Sequence, residues 1–124
     1  MNAITLTRVT KLARTAAALL TLGLFTVGSI PATGLAFPGV LHWVAHLGAF
    51  ALMGFAFGLG WPSRPAALMA ALVAAIGAIH EVSEIVTHSH AFEADDVIVN
   101  AIGALVGVAM QRAVQQVRKA DPRG

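Results

Sequence analysis

The fold of this chain is decided by the stretch Ile79–Gly107, which reads IHEVSEIVTHSHAFEADDVIVNAIGALVG. It places three Glu, three His and two Asp among the aliphatic residues and glycines that a lipid bilayer accepts. Burying ionisable groups in lipid is expensive unless they find polar partners or serve a function. The stretch therefore predicts two membrane-spanning helices, joined by a short loop, whose facing ends carry a polar site.

The composition of the whole chain agrees with a membrane protein. Its 124 residues are 57% hydrophobic and 11% charged, which is unlike an ordinary soluble domain. Because a spanning helix needs roughly 20 apolar residues, the chain has room for four. The absence of Cys excludes disulfides and thiolate chemistry. A net charge of +2 gives no indication of nucleic-acid binding. The sequence predicts an all-α integral membrane bundle of four transmembrane helices.

Apolar segments separated by Pro, Gly and basic residues give the bounds of the predicted spans. The four-helix membrane domain covers residues 12–114, between a basic N-terminal segment, 1–11, and a basic tail, 115–124. The first apolar segment also fits a cleavable signal peptide with a small-residue site near Gly34, and this alternative stays open. The spans within the membrane domain are predicted at about 12–30, 41–61, 66–88 and 96–114.

The positions of the cationic residues predict the orientation of the spans. Cytoplasmic loops are enriched in Lys and Arg, and the outer loops predicted here contain neither. Both termini and the loop between the second and third spans are therefore predicted to be cytoplasmic. The cations form three groups: Arg8, Lys11 and Arg14; Arg64 alone; and Arg112, Arg118, Lys119 and Arg123.

Two pairs of glycines predict how the helices pack. Gly54 and Gly58 on the second span, and Gly103 and Gly107 on the fourth, each form a small-xxx-small motif. Such motifs let two helix backbones approach closely in a membrane. We expect these four positions to lie at helix interfaces.

Polar side chains are predicted to form one layer near the outward face of the bundle. At a rise of about 1.5 Å per residue, their depths fall within a slab about 10 Å thick. All five His and five of the six acidic residues lie in this outward half. The candidate site residues are His46 on the second span, Glu81, Glu84 and His88 on the third, His90 in the loop, and Asp96 and Asn100 on the fourth.

The order and spacing of these residues resemble the VanZ-like membrane proteins. The resemblance covers about residues 41–107, over half of the chain. The last motif is the most specific, because it combines order, spacing and predicted topology. The motifs are His46-x3-Phe50 on the second span, Glu81 on the third, and Asp96-x3-Asn100-x2-Gly103-x3-Gly107 on the fourth.

The resemblance implies a multi-pass protein of the bacterial cytoplasmic membrane, from a family linked to glycopeptide (teicoplanin) resistance. The chain also departs from the family pattern. His42 and Trp43 stand where the family usually has Asp-Lys, Glu84 replaces a Gln, and His90 takes the place of a loop Arg. An anion held by that Arg in the family would be held less firmly here, since imidazole titrates near neutral pH.

Three functions for the polar layer are compatible with the sequence. Asp96 and Asn100 could hydrogen-bond His46 and Glu81 and only fix helix packing, as in an accessory subunit. Alternatively, Glu81 or Glu84, paired with Asp96 or a His, has the residue types of a general acid or base beside a lipid-linked envelope precursor.

The third function is metal binding. Imidazoles and carboxylates can bind zinc, and the candidate ligands are His46, Glu81, Glu84, His88 and Asp96. Their spacing matches no diagnostic metal motif, and His80-Glu81-Val82-Ser83-Glu84 only partly resembles H-E-x-x-H. We therefore expect no cofactor from the sequence, and the lipid bilayer is the expected partner.

The predicted topology has a direct test. Reporter domains fused at Gly34 and Ser89 should report outside the cell, and fusions at Ser63 and Gly124 should report inside, because Lys and Arg remain cytoplasmic. Protease accessibility of the same fusions in spheroplasts is the independent measurement. An outside signal at Gly124 would contradict the four-span arrangement.

Overall fold

The computed structural model describes residues 3–30, 32, 36–88 and 91–120 of the chain. This part of the chain forms four helices, each of which is long and apolar enough to cross a membrane. The prediction of an all-α, multi-pass membrane bundle is confirmed. The helices are α1, Ala3–Gly28; α2, Val40–Gly60; α3, Ala66–His88; and α4, Ala94–Ala120.

The helices agree with the predicted spans at their apolar centres and differ from them at the basic ends. α1 begins at Ala3, ahead of the span predicted from residue 12, and α4 continues to Ala120 beyond the predicted end at 114. Arg, Lys, Gln and Ala are good helix formers, so the helices extend past the apolar segments. α4 also begins with Asp95 and Asp96 in its first turn and ends with Arg118 and Lys119 in its last. Both distributions suit the helix dipole.

Arginines from two helices fix the end of the bundle that is predicted to be cytoplasmic. Arg14 of α1 donates from Nε to Gly60 O at 2.8 Å and lies 5.4 Å from the centre of the Trp61 ring. Arg112 of α4 donates to Pro62 O at 2.7 Å and to Arg64 O at 2.6 Å. The turn between α2 and α3 is therefore held from both sides by side-chain hydrogen bonds to its carbonyl groups.

α2 is the central helix and packs against the other three, most extensively against α4. A Cβ added at Gly54 would lie 2.5 Å from Ala104 O, and one at Gly103 would lie 2.7 Å from Leu47 O. Gly107 faces Ala51 O even more closely. Such distances leave no space for a side chain, so the two helices meet backbone to backbone. Gly103 faces Leu47, and Gly107, four residues further along α4, faces Ala51, four residues further along α2. α2 and α4 are therefore parallel.

The buried and exposed side chains of the bundle are distributed as expected for a protein in lipid. Phe50, Met53, Val73 and Ala104 form a buried cluster between α2, α3 and α4. Large apolar side chains cover the outside, where a soluble protein would present polar groups. Leu19, Leu52, Leu72 and Leu105 are among those exposed on α1 to α4.

Substituting Gly107→Ala tests the backbone contact between α2 and α4. The new methyl group would overlap Ala51 O, so we expect a loss of about 1–3 kcal/mol in stability, as in other overpacked interiors. The matched control is Gly48→Ala on α2, where an added Cβ has no neighbour within 4 Å. Thermal unfolding in mild detergent measures both variants. Equal midpoints for the two variants would contradict the close approach.

Candidate functional site

The first pair of the site joins the N-terminal turns of α2 and α4. His42 Nε2 lies 2.7 Å from Asp96 Oδ2. Asp96 is 1% exposed, whereas His42 is partly exposed. A carboxylate at this depth requires a partner, and the imidazole of His42 provides one.

The second pair lies one helical turn deeper on the same two helices. His46 Nδ1 is 2.9 Å from Asn100 Oδ1. With the Asn100 amide oxygen facing the ring, Nδ1 of His46 donates, because an amide oxygen only accepts hydrogen bonds, and in the neutral ring Nε2 then carries a lone pair. That Nε2 faces Asp96 Oδ2 at 4.0 Å. Both pairs join residues that are 54 positions apart in sequence, as expected for two successive contacts between parallel helices. We call these two hydrogen-bonded pairs, His42 to Asp96 and His46 to Asn100, the two rungs.

A second cluster of polar side chains lies on α3. His80 Nε2 is 3.3 Å from Glu84 Oε1, one turn further along the helix. His80 and Glu81 are each 3% exposed, and Glu84 is half-buried. One potential ligand atom from each of the three residues lies within 4.8 Å of the others. The two clusters are neighbours, because the rings of His46 and His80 are 6.3 Å apart between centroids.

The structure brings together most of the residues expected in the polar layer. His46, Asp96 and Asn100 meet between α2 and α4, and Glu81 and Glu84 lie on α3 beside them. Two further residues of the layer cannot be placed. His88 ends α3, but its side chain and the whole of His90 lie outside the described residues.

Two histidines belong to the site that the sequence did not select. His42 precedes His46 by one helical turn, and this spacing on one face was a usable signal. His80 points about 100° around the helix from Glu81, and that angle predicts a position outside the layer. It lies inside because α1 covers this face of α3. The His80 ring packs edge-on against Phe25, with centroids 5.8 Å apart.

Gly28 at the end of α1 makes room for His80. A Cβ at this position would overlap the imidazole ring at Cε1, so only glycine allows α1 to approach so closely. No sequence pattern indicates Gly28, because α1 and α3 are distant along the chain and the contact depends on how the helices pack.

A cavity of about 350 Å³ opens between α1, α2 and α3 beside the histidines. Its walls include Leu20 and Leu24 of α1, and Ala49 and Met53 of α2. These residues lie in the middle of their helices. The cavity therefore extends from the centre of the bundle to the end that is opposite the described Lys and Arg. Its polar end is lined by His42, His46, His80 and Glu84.

The charges around the site are unbalanced. No Lys or Arg occurs between Arg14 and Arg64 or between Arg64 and Arg112, and the described Lys and Arg thus lie at the opposite end of the bundle. The carboxylates of the site include Glu81 and Asp96, both almost fully buried. Glu81 Oε1 and Asp96 Oδ1 are buried without a hydrogen-bond partner among the described residues. Among the described residues at this end of the bundle, the imidazoles are the available cationic partners.

No protein family, curated protein or solved structure is significantly similar to this chain. The function is therefore inferred from the site itself, with the motif resemblance as a separate line of argument.

Proposed function

We propose that this chain is a VanZ-like protein of the bacterial cytoplasmic membrane that binds a lipid-linked component of the outer leaflet. The single observation that supports this most directly is the cavity between α1, α2 and α3. It has apolar walls and a polar end, and an amphiphilic molecule has the same division. A component that reaches the cavity from the outer leaflet would place its chain against α1 and α2 and its head among the histidines.

The dimensions of the cavity suit part of such a molecule. Ligand sites usually measure about 300–1,000 Å³ and combine mostly apolar walls with a few polar groups. The volume of about 350 Å³ is at the low end of this range. It accommodates about one sugar-sized part of a polar head and the first part of a chain, and the rest of the molecule would remain outside the cavity.

The chemistry of the polar end favours some heads over others. Glu84 accepts hydrogen bonds when it is ionised, and the imidazoles of His42, His46 and His80 each offer a donor or an acceptor. Phosphate is usually recognised by Arg or Lys, and neither occurs among the described residues at this end of the bundle. A head with hydroxyl, amide or amine groups, as in a sugar or peptide, fits better than a bare phosphate. The sugar and peptide parts of lipid-linked envelope precursors present such groups, and the proposed contact is with these parts.

This function also gives a route to glycopeptide tolerance. A protein that holds a lipid-linked envelope precursor would change how much of it a glycopeptide reaches. Binding is sufficient for this effect, and no reaction is required. Glu84 and His80 have the residue types of a general acid or base, but the site has no recognised nucleophile motif, so the proposal is binding rather than catalysis.

A second candidate is a structural or accessory membrane subunit. It is favoured by the two rungs, His42 to Asp96 and His46 to Asn100, which already join α2 to α4. Asp96→Asn and Glu81→Gln discriminate between the candidates. If loss of glycopeptide tolerance always follows loss of folded protein in the membrane, the structural function is favoured. Loss of tolerance in normally inserted variants favours ligand binding.

Filling the cavity is the direct test of binding. Gly23 lines the cavity, and an added Cβ there has no neighbour within 4 Å, so Gly23→Phe should occupy the cavity without forcing the helices apart. The probe is a photoactivatable long-chain alkyl glycoside in lipid nanodiscs. We expect the probe to label the wild-type protein and the variant to lose most of that labelling. Mass spectrometry measures the labelled fraction of each protein.

The matched control is Gly48→Phe. Gly48 also has no neighbour within 4 Å of an added Cβ but lies outside the cavity, so its labelling should equal that of the wild-type protein. An alkyl phosphate probe of the same chain length should label less than the glycoside. Equal labelling of both glycine variants, or stronger labelling by the phosphate, would contradict the proposed site.

A further inference from the structure

We propose that His42, His46 and Asp96 bind one divalent transition-metal ion, with Zn²⁺ as the ion to be tested. The proposal goes beyond ligand binding in the cavity and does not depend on it. Sequence spacing alone did not indicate a metal, because Asp96 is at least 50 residues from His42 and His46 along the chain. The parallel packing of α2 and α4 brings them together.

The ligand atoms have nearly the separation that a metal requires. One atom from each of the three residues lies within 4.8 Å of the others. Asp96 Oδ2 is 2.7 Å from His42 Nε2 and 4.0 Å from His46 Nε2. Ligand atoms about 2.0 Å from a tetrahedral Zn²⁺ are about 3.3 Å apart. Side-chain adjustments of less than about 1 Å would therefore place all three atoms around one ion.

Asn100 orients His46 for this role. Metal-bound histidines almost always donate their other ring N–H to an oxygen, which fixes the tautomer and the direction of the ring. His46 Nδ1 makes this contact with Asn100 Oδ1 at 2.9 Å, and Asn100 is fully buried. The lone pair on His46 Nε2 is thereby directed towards Asp96, where the ion would be.

The buried charge of Asp96 is an independent observation in favour of a cation. Asp96 is 1% exposed, and its Oδ1 is buried without a hydrogen-bond partner among the described residues. Buried carboxylates are costly in a membrane, and Asp96 has only the His42 imidazole within hydrogen-bond distance of its Oδ2, because the described Lys and Arg lie at the opposite end of the bundle. A divalent ion held between Asp96 and the two imidazoles would bring a stronger positive charge to the carboxylate and could also use Oδ1.

Three protein ligands would leave a further coordination position open. Zinc sites with two His and one carboxylate keep that position for water or substrate. His42 and His46 line the cavity, so a molecule in the cavity could reach the metal. Glu93 is a nearby competitor for the position, since its Oε2 lies 3.8 Å from His42 Nε2.

The cluster on α3 provides the matched control. His80, Glu81 and Glu84 are also close enough to share an ion. However, all three belong to one helix, and His80 already pairs with Glu84 at 3.3 Å. In the site between α2 and α4, by contrast, the side-chain amide of Asn100 orients His46. Glu84→Gln therefore removes a carboxylate beside the proposed site but leaves its ligands intact.

The experiment measures metal bound to the purified full-length protein in detergent. After incubation with Zn²⁺ and dialysis, elemental analysis should find one ion per chain. With Co²⁺ in its place, visible absorption should report nitrogen and oxygen coordination. His46→Ala and Asp96→Asn should abolish both signals, and Glu84→Gln should keep them. Asn100→Ala should bind roughly 10- to 100-fold more weakly, as for other outer partners of metal-bound histidines.

Circular dichroism and gel filtration establish that each variant is folded, and the wild-type stoichiometry tests the proposal without any variant. Wild-type protein that retains no stoichiometric Zn²⁺ and gives no Co²⁺ spectrum would overturn it. Zn²⁺ that remains bound in folded His46→Ala and Asp96→Asn would be an adventitious ion only, which also overturns it. Loss of the ion in Glu84→Gln alone would move the site to α3 and overturn the assignment.

Discussion

The other helices of the bundle are arranged around the parallel contact between α2 and α4. Gly54, Gly103 and Gly107 let the two backbones touch, and without that approach their short polar side chains could not meet. Interhelical hydrogen bonds in membranes are worth only about 0.6 kcal/mol each on average. The two rungs therefore add little to stability by themselves. Their effect is to fix the register in which the glycines interlock.

The register then determines what the outward end of the bundle contains. Once α2 and α4 are aligned, His42 and His46 lie beside Asp96 and Asn100, and α3 adds its own polar cluster alongside. α1 closes the site from the other side, where Gly28 admits the His80 ring. The proposed ligand cavity and the proposed metal site share these histidines, so both follow from one packing arrangement.

The sequence predicted the parts of this arrangement that depend on local patterns. Apolar length gave the four helices, and helical spacing placed Asp96 and Asn100 on one face. His80 was missed because its position depends on α1, which is distant along the chain and contacts His80 through Phe25 and Gly28, neither of which is polar. The boundary of α1 was placed late because basic residues end an apolar segment without ending a helix. Contacts between distant helices are set by packing, which a single sequence does not display.

His46 donates to Asn100 across the contact between α2 and α4, which leaves Nε2 of the neutral ring available to bind a ligand or an ion. Solid-state NMR of ¹⁵N-labelled histidine, with the protein in lipid bilayers and His46→Ala to assign the signal, measures this directly. We expect the neutral His46 ring to carry its proton on Nδ1 and to couple to the Asn100 side chain. A proton on Nε2, or no contact with Asn100, would contradict this expectation.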